Sequence, residues 1–366
     1  MRTSVSSASS MLLVTALAVF VLSGCAGQST DGEQKPTGGS ETATQTMNIP
    51  IVEQWASSRH ALVVTFAAAE EGCKNCHDGL TFTMTGGGFV PRLTEATGSA
   101  VSTGADASAS GQDEGGGESV RDYAVATDCR ACHMGAGAAI ANAGSVDKIP
   151  SIETATGGLG AVCMACHNGW HMSGKNPDGE LTAPHTSVQT DMLFGVNTVD
   201  PGVESTATQG DVESPHLKVK NTCVGCHVTG TGADGSNHTF RAESFRGCES
   251  KDCHDQDMTQ GGTAKEDYDG DGTKEKTVVE IEGLSKTLEA AIQAKAGKFE
   301  SASGQVKFAN GTKPDDATYA AAYNYFFVQK DGSGGIHNTK FTVDLLTRSI
   351  RAVGGKIGSA AATTGP

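Results

Sequence analysis

Cysteine and histidine recur together at one spacing. The chain contains CKNCH (Cys73, Cys76, His77), CRACH (Cys129, Cys132, His133), CMACH (Cys163, Cys166, His167) and CVGCH (Cys223, Cys226, His227). Two thiols three residues apart can each form a thioether to a vinyl group of one porphyrin. The imidazole that follows then lies under the iron as its proximal ligand. This is the attachment pattern of c-type haem. With 11 Cys and 11 His in 366 residues, one copy arises by chance with a probability of roughly 1%. Four copies are therefore not accidental. Zinc sites join two ligand pairs at set distances, whereas here each Cys pair carries its own His. A disulfide framework needs no His and belongs to much shorter chains.

The stretch RGCESKDCHDQD at 246–257 departs from that spacing. Four residues separate Cys248 from Cys253, and His254 again follows the second thiol. A longer loop can bulge outward while both thiols reach the vinyl carbons, so this stretch is read as a fifth site. Five covalent haems are expected, with His77, His133, His167, His227 and His254 as proximal ligands.

Six histidines remain, and five irons need a sixth ligand. His60 precedes Cys73 in a segment read as a helix. His216 lies shortly before Cys223, and His238 shortly before Cys248. His185 and His337 each occur where a loop enters a predicted helix. These five are the distal candidates. His171 follows His167 by four residues, near the proximal side of its own haem, and is read as the spare.

The elements that must hold these ligands are only partly legible. Aromatics make up 5% of the chain and Gly 48 of 366 residues, which is poor material for an ordinary core of large side chains. Porphyrins would supply much of the buried apolar area, so regular secondary structure is expected to be sparse and β structure minor. EQWASSRHALVVTF (53–66) reads as a helix with Trp55, Ala56, His60, Val63 and Phe66 near one face. Ile281, Leu284, Leu288 and Ile292 form an apolar stripe over 281–295. Two more helices are predicted over 318–330 and 338–353, the second with Asn338 as N-cap.

EDYDGDGTKEK carries Asp267, Asp269, Asp271 and Gly272, the first half of a D-x-D-x-D-G calcium loop. Its twelfth position is Val278, with Glu280 or Glu282 as replacement ligands. Calcium is thus a second candidate cofactor, against the plainer reading of a solvated acidic turn.

At the N-terminus, Arg2 and a polar stretch precede an apolar run from Met11 to Leu22, the layout of a signal peptide over 1–24. The run is too short for an ordinary spanning helix. LSGC at 22–25 resembles the lipobox of bacterial lipoproteins. That resemblance implies lipidation of Cys25 and, since Ala26 follows rather than Asp, an outer-membrane anchor on the periplasmic side or the cell surface. Ordinary cleavage would instead leave Cys25 as an odd thiol. Residues 25–47 are rich in Gly, Ser, Thr and acidic side chains and read as a flexible tether. Residues 94–119 read as a disordered insertion. Residues 48–366 form the expected haem-bearing domain. The formal net charge of −15 argues against nucleic acid as a partner.

PHTSVQTDMLFG and AAYNYFFVQKDGSGGIHN, together with the five motifs, resemble multihaem c-type cytochromes of metal- and sulfur-reducing bacteria. The C-terminal stretch is also similar to the helical end of the cytochrome c nitrite reductase superfamily. Variant C-x4-C-H sites occur in such cytochromes. The resemblance implies a mainly coil chain with several α-helices, wrapped around stacked bis-histidine haems. The expected function is electron transfer rather than catalysis, in outer-membrane or extracellular respiration. Redox proteins or extracellular acceptors would be its partners. A haem enzyme reducing a small oxyanion is the first rival, but the C-x-x-C-K motif of the nitrite reductases is absent. A subunit of a polymeric cytochrome filament is the second.

Overall fold

The computed structural model describes residues 49–70, 72–88, 124–174, 181–205, 212–230, 236–242, 248, 253–254 and 257–358. The expected leader, Cys25, the tether and the 94–119 insertion lie outside the described residues.

In chain order the helices and strands are α1 (Ile49–Ala56), α2 (Thr65–Ala69), α3 (Lys74–His77), α4 (Gly79–Thr85), α5 (Cys129–His133), α6 (Gly135–Ala143), β1 (Ser145–Ile149), β2 (Ile152–Thr156), α7 (Ala161–Met164), α8 (Gln189–Phe194), α9 (Cys223–His227), α10 (Thr277–Ala296), β3 (Phe299–Ala302), β4 (Gln305–Phe308), α11 (Asp316–Asp331) and α12 (Thr339–Ala352). Short 3₁₀ turns link several of them. Both sheets are two-stranded antiparallel hairpins, β1–β2 and β3–β4.

Helices take up about half of the described residues, so regular structure is not sparse. The reason lies at the C-terminal end, where helices α10, α11 and α12 pack on one another around an ordinary apolar core. Leu284, Leu288, Ile292, Phe327, Leu345, Leu346 and Ile350 are fully buried there. The stripe read over 281–295 is the buried face of α10, because residues three and four apart share one side of a helix. Asp315 caps α11 by accepting from Thr318 N at 2.8 Å, and the Asn338 side chain caps α12 by accepting from Phe341 N at 3.3 Å. The low chain-wide share of large apolar residues understated this core, since the ones present gather on these three helices.

A second, smaller core joins α4, α6, α7 and the β1–β2 hairpin through Phe82, Ile140, Val146, Ile149 and Met164. Gly137 lets α6 approach α4 and α5 closely, because a Cβ there would overlap the Ala131 carbonyl.

The helix expected over 53–66 is broken. α1 stops at Ala56, and the side chain of Ser58 caps a 3₁₀ turn (Arg59–Ala61) by accepting from His60 N at 3.2 Å. Leu62 to Val64 are then non-helical before α2 begins. Serine competes for backbone hydrogen bonds and favours caps over helix interiors. Phe66 is 76% exposed rather than on a buried face. His60 therefore sits in a tight turn, not on a helical stripe. Among the described residues no helix is long and apolar enough to cross a membrane.

Candidate haem and metal sites

Each regular motif folds as a short helical turn. His77 N donates to Cys73 O at 3.0 Å, and His167 N to Cys163 O at 2.8 Å, while α5 and α9 each run from the first Cys of a motif to its His. Residues three and four apart on a helix share a face, so both sulfurs and the imidazole emerge on one side. None of the ten motif cysteines is paired in a disulfide. Of the fifth motif, Cys248, Cys253 and His254 are described; the loop between the thiols is not.

The histidine rings fall into five pairs. His77 lies with His185 at a centroid separation of 6.3 Å, His133 with His238 at 6.4 Å, and His167 with His60 at 6.1 Å. His227 lies with His337 at 6.1 Å, and His254 with His216 at 6.4 Å. Each pair joins one motif His to one of the five distal candidates, and none is used twice. His171 belongs to no such pair; its Nδ1 lies 3.3 Å from the carbonyl of Met172.

These separations can be compared with those that coordination requires. An imidazole nitrogen sits about 2.0–2.1 Å from a bound transition metal. Ring bonds of about 1.3–1.4 Å place that nitrogen about 1.2 Å from the ring centre. Two imidazoles in line on one ion therefore hold their centroids about 6.4 Å apart. The donor set fits a bis-imidazole iron at all five places.

The electrostatics suit neutral ligands. Burial, then the neighbouring His167, lowers His60 to about 4; burial, then His77, lowers His185 to about 4. Burial also lowers His77, His167, His216 and His227. A neutral imidazole is the form that binds metal. His337 is the exception. Burial pulls it down, but the charge and hydrogen bond of Asp331 outweigh that effect and raise it.

Further partners orient the rings. The Nδ1 of His167 meets Gln189 Oε1 at 3.1 Å, that of His227 meets Phe240 O at 3.0 Å, and that of His216 meets His337 O at 3.4 Å. Ser236 Oγ lies 3.2 Å from the Nδ1 of His238. The Nδ1 of His185 is buried with no partner.

The motifs also adjoin one another. Cys76 of the first lies beside Cys166 of the third, Cys163 of the third beside Cys223 of the fourth, and Cys226 of the fourth beside Cys248 of the fifth. Cys132 of the second interacts with both thiols of the third. Thr222 fixes one of these junctions. It holds a positive φ of 36°, strained for a β-branched residue, while its hydroxyl donates to Gly157 O at 2.9 Å. That bond seats the start of α9 against the third motif.

The acidic loop is built around Glu280. This carboxylate is fully buried and accepts from Tyr268 N at 2.7 Å, Glu275 N at 2.8 Å and Asp269 N at 3.3 Å. Asp267, Asp269 and Glu280 bring carboxylate oxygens within 4.8 Å of one another, as do Asp269, Asp271 and Glu275. Glu282 is not in the cluster; it pairs with Lys286 at 2.7 Å. Glu275 was missed in the sequence reading, although it occupies the ninth position of the loop, a known ligand position. Its Oε2 is buried and has no hydrogen-bond partner. Burial, then the charges of Asp271, Glu280 and Asp267, raises Asp269. A cluster of this kind fits a hard divalent cation with oxygen ligands.

In comparisons with protein-family models, curated proteins and solved structures, nothing matches this chain.

Proposed function

We propose that the chain is an electron-transfer protein carrying five covalently attached haems, each with two axial histidines. The ligand pairs are His77/His185, His133/His238, His167/His60, His227/His337 and His254/His216. The observation that carries the reading is the one-to-one pairing of motif and non-motif rings at 6.1–6.4 Å. Haem supplies one-electron exchange at its iron. The thiols of Cys73, Cys76, Cys129, Cys132, Cys163, Cys166, Cys223, Cys226, Cys248 and Cys253 anchor the groups. The histidines hold both axial positions, and their hydrogen-bond partners set ring orientation.

Relay is favoured over reduction of an oxyanion because five imidazole pairs leave no axial position free for a substrate. Adjoining thiols support a route in which the third site neighbours the first, second and fourth, and the fifth neighbours the fourth. All five pairs are complete within one chain, so the filament reading needs no borrowed histidine. Redox proteins or extracellular acceptors remain the proposed partners, reached from a lipid anchor at Cys25 in the outer membrane.

Calcium in the 267–280 loop is the second part of the proposal. Its support is the orphaned Glu275 Oε2 beside Asp269 and Asp271.

Mass spectrometry of the mature protein tests the main reading. Five haem additions and low-spin ferric signals throughout are expected. Four additions would reduce Cys248 and Cys253 to a plain pair of thiols, and a native high-spin signal would favour catalysis.

A further inference from the structure

The five pairs are not equivalent in what their outer nitrogens touch. His337 Nδ1 lies 2.7 Å from Asp331 Oδ1, and the Asp331 side chain is 0% exposed. Asp331 ends α11, and the chain turns through Gly332 into the loop that carries His337. The hydroxyl and backbone N of Ser333 both donate to Asp331 Oδ2, and Ser333 Oγ accepts from His337 N at 3.1 Å. Carboxylate and imidazole are thus fixed in register by one short loop. Four other paired imidazoles bring Nδ1 to a neutral group: an amide oxygen at His167, backbone carbonyls at His227 and His216, and a hydroxyl at His238. Gln189 links two sites, accepting from His167 Nδ1 and donating through Nε2 to Asp331 O at 3.0 Å.

We propose that Asp331 is a tuning residue that makes the iron held by His227 and His337 harder to reduce than it would be without this carboxylate. The inference rests on the bis-histidine reading above. With Nε2 on the metal, Nδ1 keeps its proton and donates it to the carboxylate. That bond increases the electron-donating strength of the ring, as carboxylate partners do for metal-bound histidines. The ferric ion carries one more positive charge than the ferrous ion. A buried negative charge therefore stabilises it more, and in a water-poor interior that difference is weakly screened. The fourth site adjoins the third and fifth through Cys163–Cys223 and Cys226–Cys248, so it sits between neighbours that lack such a carboxylate bond in the described structure. An electron passing from the third site to the fifth would cross the step that Asp331 raises.

The test is a spectroelectrochemical titration of the holoprotein with dithionite as reductant, before and after Asp331→Asn. The asparagine oxygen can still accept from Nδ1, so the change removes the charge at nearly the same shape, while its amide nitrogen replaces the oxygen that accepts from Ser333. One of five one-electron steps should move to higher potential by about tenfold in its reduction equilibrium, about 59 mV for one electron. The other four should move less. Asp331→Glu should return the step part of the way. Five retained low-spin haems with no step moved would overturn the proposal. Should Asp331→Asn lose a haem, Ser333→Ala decides. Removing a donor from the same carboxylate concentrates its charge towards His337 and should move that step to lower potential; an unmoved step overturns the proposal. Fewer than five haems on the unaltered protein would instead count against the bis-histidine reading itself.

Discussion

Replacing His185 by Ala should open one iron and leave the rest of the protein almost untouched. His185 suits the experiment because its Nδ1 has no hydrogen-bond partner, so the substitution strands no donor or acceptor. Its imidazole is held near pKa 4 by burial, then by His77, and is neutral at pH 7. The ring is paired with His77 alone, at 6.3 Å. One pair in five is lost, so one-fifth of the ferric iron should become high-spin or water-ligated. Reduced protein should then bind one carbon monoxide per chain, where the unaltered protein binds none. EPR of the oxidised form and a carbon monoxide titration of the reduced form read both quantities. The matched control is His171→Ala, which removes the one histidine outside the pairs and should leave both spectra unchanged. A silent His185→Ala, or a high-spin signal from His171→Ala, would refute the pairing and the argument from ring separation.

Further outcomes are expected. Leu288→Ala, in the fully buried stripe of α10, should cost about 2–5 kcal/mol in chemical denaturation, through lost burial and the cavity left behind; Leu159→Ala, at 44% exposure, should stay within about 0.5 kcal/mol. Calcium at a hundred times its dissociation constant should stabilise the protein by about 2.7 kcal/mol over an EDTA-treated sample, and Glu275→Gln should shrink that difference. An acidic turn without a cation predicts the opposite, since Glu275→Gln would then relieve repulsion and stabilise the protein equally with and without calcium. Cys25→Ser should move the protein from the membrane to the soluble fraction, whereas unchanged membrane association would end the lipid-anchor proposal.

The Cys–His motifs were legible in the sequence because their spacing is local. Two thiols and an imidazole at positions one, four and five fall on one helical face wherever the segment lies. The C-terminal helices were legible for a similar reason: Ile281, Leu284, Leu288 and Ile292 repeat at the helical period, and Asn338 is a capping residue by type. The break at Ser58 was less visible, because whether a serine interrupts a helix or is carried within it depends on what the neighbouring residues can bury. Counting left one histidine to spare and the position of His171, four residues after His167, made it the one set aside, but neither matched the other five to partners. The partners are far apart in the chain, as with His60 and His167 or His133 and His238, and no local rule links residues at such distances. The folding of the 3₁₀ turn at Arg59–Ala61, the seat of Thr222 against Gly157 and the loop from Asp331 to His337 decided those matches. Tertiary structure also decided that Glu275, rather than Glu282, turns into the acidic loop, and that Asp331 rather than a neutral group meets His337. Which carboxylate reaches which buried nitrogen is set by packing between segments, because a charge is held in the interior only where a partner brought there by the fold can satisfy it.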